Sequence, residues 1–206
     1  MKLRFLVFAI GPMLLFLAAT SASAQSVPAT PEQVVGGRLD APIRIDVFSD
    51  FQCPSCAVLF TDTMRPILRD YAAANKVCVV YHEFPLPGHH YAREAARWSI
   101  AAQRLGKRQW LAVLEVLYTQ QALWSQSGKV ESAVASALSS EDYMAAKKQL
   151  LSPEIDQTID RDVALGNQLK IESTPTMFVY AIGREQKVVG GLPYTALREF
   201  FDRIVK

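Results

Sequence analysis

The chain holds only 3 cysteines and 3 histidines in 206 residues. That scarcity excludes a disulfide-dense mini-protein, whose small core would need several staples. It also excludes a structural zinc site made from two cysteine pairs. Neither sign of charge dominates, since 22 Lys and Arg face 20 Asp and Glu. No basic field is present to hold nucleic acid, and no acidic tail. A fifth of the residues are charged and half are apolar, which excludes a disordered chain and suits one domain with a sizeable core. Beyond one apolar stretch near the N-terminus, no segment reaches the length of a membrane span.

That stretch has the layout of an export signal. Met1 to Arg4 is a short positive start, Phe5 to Ala19 carries no charge, and Ser21-Ala22-Ser23-Ala24 supplies the small residues an exporting peptidase reads. The pattern predicts a signal peptide over residues 1–24, cut before Gln25. Gly11-Pro12 interrupts the apolar run and argues against an uncleaved anchor. Without Lys2 and Arg4 the mature chain carries 20 basic and 20 acidic residues. It is expected to be soluble and periplasmic or secreted, where disulfides persist.

Residues 25–33 hold two prolines and small polar residues and read as a linker before a domain over 34–206. Ile43–Phe48 suits a strand, and Pro54 opens a helix that carries Phe60, Met64, Ile67, Leu68 and Tyr71 at helical spacing. Pro66 should kink that helix. Val77–Tyr81 is a β-branched run suited to a buried strand, so the first third reads as a parallel crossover unit. Helical segments follow over His90–Leu105, Trp110–Trp124, Val130–Leu138, Glu141–Leu151, and from a Ser152-Pro153 cap to about Lys170. Thr176–Tyr180 and Lys187–Val189 return to strand, and Pro193 starts a last helix. The fold class is therefore α/β, with strand-helix-strand and strand-strand-helix halves separated by a helical insert over about 88–172.

Cys53-Pro54-Ser55-Cys56 stands where a strand runs into a helix, a spacing and setting that read as a redox dithiol. A thiol in the first helical turn faces unpaired N–H groups and the positive end of the dipole, both of which favour the attacking thiolate. The dipole supplies about 0.3–2 kcal/mol, and one pKa unit is about 1.4 kcal/mol. A large shift therefore needs specific donors as well, which the Ser55 hydroxyl and the Cys56 amide could provide. Cys53, at the exposed helix start, is the expected nucleophile, and the more shielded Cys56 the resolving thiol. A structural disulfide is the poorer reading, because so short a loop restrains the unfolded chain little.

Phe48-Ser49-Asp50-Phe51-Gln52-Cys53-Pro54-Ser55-Cys56 resembles the active-site segment of DsbA-like thioredoxin-fold proteins. Phe84-Pro85-Leu86, the helical insert and Thr174-Pro175 before the returning strand extend the resemblance over essentially the whole mature chain. It implies a thioredoxin fold, Cys53 as the attacking thiol, and Pro175 beside the dithiol in a cis bond. It further implies that the Thr174 backbone pairs with an extended substrate. No metal, nucleotide or flavin cofactor is implied. The expected substrates are unfolded or reduced exported proteins, with a membrane redox partner restoring the active state.

The implied activity is protein thiol-disulfide exchange, with two directions open. Pro54-Ser55 suits a monomeric oxidase, whereas Thr174 before the proline suits an isomerase or reductase kept reduced by a partner. Only residues 25 to about 39 precede the core, too few for a dimerisation domain. A soft-metal carrier using the same two thiols is the alternative from another class.

The resemblance also exposes a departure. Some family members carry a buried acid six residues before the first Cys, and here that position is Val47. Asp46 alternates to the opposite face and is expected at a solvated strand edge, leaving Glu83 and His82 as alternative proton carriers. Cys78 reads as a small buried side chain, and Trp98, Trp110 and Trp124 as packing residues of the insert. His89 and His90 read as solvated at a helix start.

Overall fold

The computed structural model describes residues 27–205. The expected signal peptide and the first two residues of the expected linker lie outside them. A five-stranded sheet forms the centre: β1 (Val34–Gly36), β2 (Ile43–Ser49), β3 (Val77–Glu83), β4 (Thr176–Ala181) and β5 (Arg184–Val189), in the order β1-β3-β2-β4-β5. β2 and β3 run parallel, with Ile43 opposite Val77 and Ser49 opposite Glu83. The other neighbours are antiparallel.

The parallel pair is joined by a helix over residues 54–72. Its α-helical parts α1 (Pro54–Leu59) and α2 (Arg65–Ile67) alternate with π turns at Phe60–Met64 and Leu68–Ala72. Pro66 lies between the two wide turns. A proline N cannot donate to the ladder, and here the helix widens on either side of it rather than kinking at one point.

The insert is α3 (Ala92–Gln103), α4 (Lys107–Thr119), α5 (Gln121–Ser127), α6 (Val130–Ala137), α7 (Ser140–Gln149) and α8 (Glu154–Gln168). The expected helix over Trp110–Trp124 is thus two, broken at Gln120 with φ −103° and ψ 14°. Ser152 does not cap α8; its N-cap is Pro153, and the Ser152 hydroxyl bonds the Glu154 carboxylate instead. α9 (Tyr194–Ile204) closes the fold.

Strand alternation sorts the core into two layers. Ile43, Ile45 and Val47 of β2, with Val77, Val79 and Tyr81 of β3, face the main core shared with helix 54–72, α4 and α9. Phe48, Phe178 and Phe84 face the other way, against Ile171, Val163 and Leu165. Val27 is buried in this second layer, so the stretch expected as a linker packs on the domain and contributes a short 3-10 turn at Pro31–Gln33. β1 was not expected at all. It crosses helix 54–72 at Gly36, where a Cβ would stand 2.4 Å from Leu68 Cδ2, and Gly37 follows at φ +71° against the Val77 carbonyl.

Candidate active site

β2 ends at Ser49 and α1 begins at Pro54, so residues 50–53 form the turn that delivers the dithiol. Cys53 is the N-cap of α1 in extended geometry, and Pro54 takes the first helical position, where a missing N–H costs nothing. The Cys53 carbonyl accepts the first helical bonds from Cys56 and Ala57. Cys53 is only 7 % exposed and Cys56 1 %. The expected exposure of Cys53 is therefore corrected: the loop before β4 covers it, and its Sγ lies 3.3 Å from the Thr174 carbonyl oxygen. The Thr174–Pro175 bond is cis, and Gly190 donates to the Pro175 carbonyl at 2.8 Å.

The two sulfurs are driven in opposite directions. The Cys53 thiol falls from its usual 9.0 to about 5, foremost through a hydrogen bond from the Cys56 thiol, opposed by burial. The Thr174 side chain and the backbone N–H groups of Cys56 and Ser55 add to the lowering. Thr174 Oγ1 is buried with no other partner among the described residues, which leaves it free to donate to a thiolate. Cys56 is pushed strongly upward, first by burial and then by its bond and repulsion with Cys53. Ser55 contributes its main chain rather than the hydroxyl expected from sequence; its side chain is exposed.

Beneath Cys56 lies a polar interior. Ser49 Oγ meets Tyr118 Oη at 2.7 Å, and Tyr118 also bonds the Tyr81 hydroxyl. Glu83, opposite Ser49 in the parallel pair, is 3 % exposed and points to this same layer. Neither of its carboxyl oxygens has a hydrogen-bond partner among the described residues. Burial holds this carboxyl well above the usual range; the nearby Ser99 side chain opposes it, and Asp162 and Asp50 push the same way as burial. Val47 is 2 % exposed, an apolar residue where the expected acid would sit.

His82 and Asp46 belong to the other face, so His82 is corrected as a candidate proton carrier for the dithiol. Its ring stacks on Phe48 with centroids 4.3 Å apart. Its nitrogens reach Asp46 at 3.0 Å and Asp162 at 3.2 Å. Asp46 is fully buried rather than solvated, because Arg44 at 2.7 Å and His82 both pair with it. Cys78 is fully buried against Val34 and Val80, and burial raises its thiol to about 11. Trp98, Trp110 and Trp124 are buried, with the last two donating to Ser99 and the Leu117 carbonyl.

Three polar side chains that sequence reasoning did not single out hold the turn. Gln121 of α5 donates to the carbonyls of Phe51 and Cys53 at 2.6 and 2.9 Å. Gln52 accepts from the Tyr91 N–H at 2.8 Å. The Asp50 carboxylate accepts from the N–H groups of Gln52 and Leu86 and from His89. The only sequence signal for Gln121 was a polar pair, Gln120-Gln121, inside a mostly apolar helical run.

A family model described as thioredoxin matches residues 29–200. The chain belongs to the thioredoxin family. A Bacillus cereus protein described as "Probable disulfide bond formation protein D" is 25% identical over 146 residues, covering 69% of this chain and 68% of that one. The structure of Wolbachia pipientis alpha-DsbA1 superposes with a TM-score of 0.70 at 18% identity, over 87% of this chain and 93% of that one. Oxidised BdbD from Bacillus subtilis does so with a TM-score of 0.66 at 21% identity, over 86% and 96%. This is the DsbA-like form of the thioredoxin fold, with the helical insert between its halves, and the protein is a thiol-disulfide oxidoreductase.

Proposed function

We propose that the protein is exported and works as an oxidase, introducing disulfides into reduced or unfolded secreted proteins. One observation carries the direction: the environment of Cys53 lowers its thiol to about 5. A stabilised thiolate stabilises the reduced dithiol, so the Cys53–Cys56 disulfide is one the protein readily gives away.

The reaction runs in two steps. A substrate thiolate attacks Cys53 Sγ of the disulfide, forming a mixed disulfide and releasing Cys56 as a thiolate. That thiolate sits where burial strongly favours the thiol, so it takes a proton at once. Glu83, held as a neutral acid in the same layer, is the proposed donor; Ser49, its neighbour across the parallel pair, also acts on Cys56 through its side chain. A second substrate thiolate then attacks its own sulfur in the mixed disulfide and expels Cys53 as the stable thiolate. The substrate has lost two electrons, and the protein holds them as a dithiol. An electron-accepting membrane partner would remove them and restore the disulfide.

Substrate would lie along the backbone at Thr174 and Pro175, where the Thr174 carbonyl faces Cys53. Main-chain pairing at such an edge ignores sequence, which suits a broad range of unfolded chains. Pro54 shapes the first turn, and Ser55 lends it an N–H.

The test is the reduction potential of the pair, by equilibration in glutathione buffers. About 30 mV changes the exchange equilibrium tenfold, so even a rough value decides. A potential above the glutathione poise is expected. One well below it would mean a reductase or isomerase kept reduced by a donor.

A further inference from the structure

Asp50 bonds both cysteines through its main chain. Its N–H reaches Cys56 Sγ at 3.5 Å, and its carbonyl accepts from the Cys53 N–H at 3.2 Å. The orientation of this single residue therefore decides what both ends of the motif meet. Its carboxylate is fully buried and anchored by three donors, the N–H groups of Gln52 at 2.6 Å and Leu86 at 2.7 Å and the His89 Nδ1 at 2.7 Å.

His89 is the side-chain donor of the three, and it comes from the approach to the insert rather than from the motif. It is itself held in place: its N–H donates to the Leu86 carbonyl at 3.0 Å and its carbonyl accepts from Ala92 at 3.2 Å. With its side chain 28 % exposed, it closes the polar pocket around Asp50 from the solvent side.

We infer that His89 is a positioning residue for thiol-disulfide exchange, acting through the Asp50 carboxylate on the turn that carries Cys53 and Cys56. A buried carboxylate that loses a donor turns toward another or draws in water. Either movement rotates the Asp50 backbone. The N–H on Cys56 Sγ is then weakened, and so is the fixed start of the helix at Cys53. Both stabilise the reduced, thiolate-bearing pair, so their loss makes the disulfide less oxidising. The inference rests on the exchange reading above and adds the insert as a part that sets its potential.

The experiment compares wild type, His89→Ala and His89→Asn as full chains in glutathione buffers, with a thermal melt of each. Asparagine keeps an N–H donor where Nδ1 stood. His89→Ala is expected to move the equilibrium by up to about tenfold toward the protein disulfide, the upper size of one neutral hydrogen bond, that of the Asp50 N–H on the Cys56 sulfur. His89→Asn is expected to stay within about threefold of wild type, because the donor remains. A His89→Ala equilibrium equal to wild type overturns the inference, as does an equal shift in both variants. Wild type below the glutathione poise overturns the oxidase reading but leaves the His89 comparison to be read on its own. A wild type that exchanges no thiols at all removes both.

Discussion

The Cys53 thiol and the Thr174 carbonyl oxygen stand 3.3 Å apart, although 121 residues separate them in the chain. The contact places the proposed nucleophile beside the stretch of backbone proposed to pair with an extended substrate. It also covers the sulfur, so Cys53 is reactive by its chemistry rather than by open exposure. On the proposed reading, access depends on a substrate strand displacing the weak thiol contact with its own sulfur.

Alkylation of Cys53 with iodoacetamide should titrate with an apparent pKa of about 5. In Cys56→Ala that value should rise by about one unit or more, because the Cys56 thiol is the foremost group lowering it and a hydrogen bond to a charge is worth about 1.5–3 kcal/mol. The same variant should accumulate mixed disulfides with reduced substrates, while Cys53→Ser forms none. An unshifted titration in Cys56→Ala would assign the acidity to the helix start instead.

Much of this site was legible in sequence because it is local. A Cys-x-x-Cys with proline at the first helical position fixes the dithiol by spacing alone, and 3.6-residue periodicity marked the insert. Asp46 shows where that reach ends. Alternation assigned it correctly to the face opposite the dithiol, but not its burial, which comes from Arg44, His82 and the long-range lid of α8 with Asp162. β1 is three residues long and ends in glycine, too short to show a period of two. β5 begins three residues before the expected Lys187–Val189, because Arg184-Glu185-Gln186 is a polar edge that guards the sheet and carries no strand pattern. Gln121 shows in the sequence only as one of a polar pair, because the carbonyls it serves are 70 and 68 residues away.

Glu83→Gln should raise stability at neutral pH and slow catalysis. The folded protein holds this carboxyl above its usual 4.5, so the unfolded chain ionises first as pH rises. Stability drawn from the neutral group is present below pH 4.5 and is lost as pH climbs toward the folded value. Glutamine removes that slope, so the melting temperatures of the two proteins should coincide near pH 4 and diverge above it. Formation of the mixed disulfide in the oxidising direction, or its reversal by attack of Cys56, should slow by about 100-fold, the lower end of what positioned proton transfer contributes. A variant with the stability change and full speed would leave Glu83 a buried acid with no part in the proton path.

Asp162→Asn should destabilise the fold by about 3–5 kcal/mol, the cost of breaking a buried ion pair from one side. Asp162 accepts from Gln33 at 2.8 Å, from the Glu83 N–H at 3.0 Å, and faces the His82 ring. Burial pulls the His82 pKa down, and Asp162 and Asp46 more than reverse it. A raised histidine contributes stability that is full below its usual 6.5 and is lost as pH rises through the folded value. Urea unfolding at pH 5.5 should therefore show the larger gap between wild type and variant, and pH 8.5 the smaller. The His82 side of this network lies on the face away from the dithiol and its link to the site runs only through Glu83, so the reduction potential should move by less than about 30 mV, a tenfold change in the equilibrium.

Gln121→Leu tests the opposite case, a residue that matters to the site more than to the fold. The two carbonyls it serves, on Phe51 and Cys53, are enclosed by the turn and by α5. Leucine fills a similar volume and leaves both without that donor, at about 1–3 kcal/mol for a buried acceptor left unmade. The Cys53 carbonyl keeps its helical bonds from Cys56 and Ala57, so the loss falls mainly on Phe51, whose peptide orients the turn. A turn free to pivot presents Cys53 in several directions, so the rate of attack on a substrate disulfide should fall more than stability accounts for. Rate and urea midpoint measured on one preparation separate the two effects: a rate unchanged while the midpoint drops would make Gln121 a packing residue of the insert and nothing more.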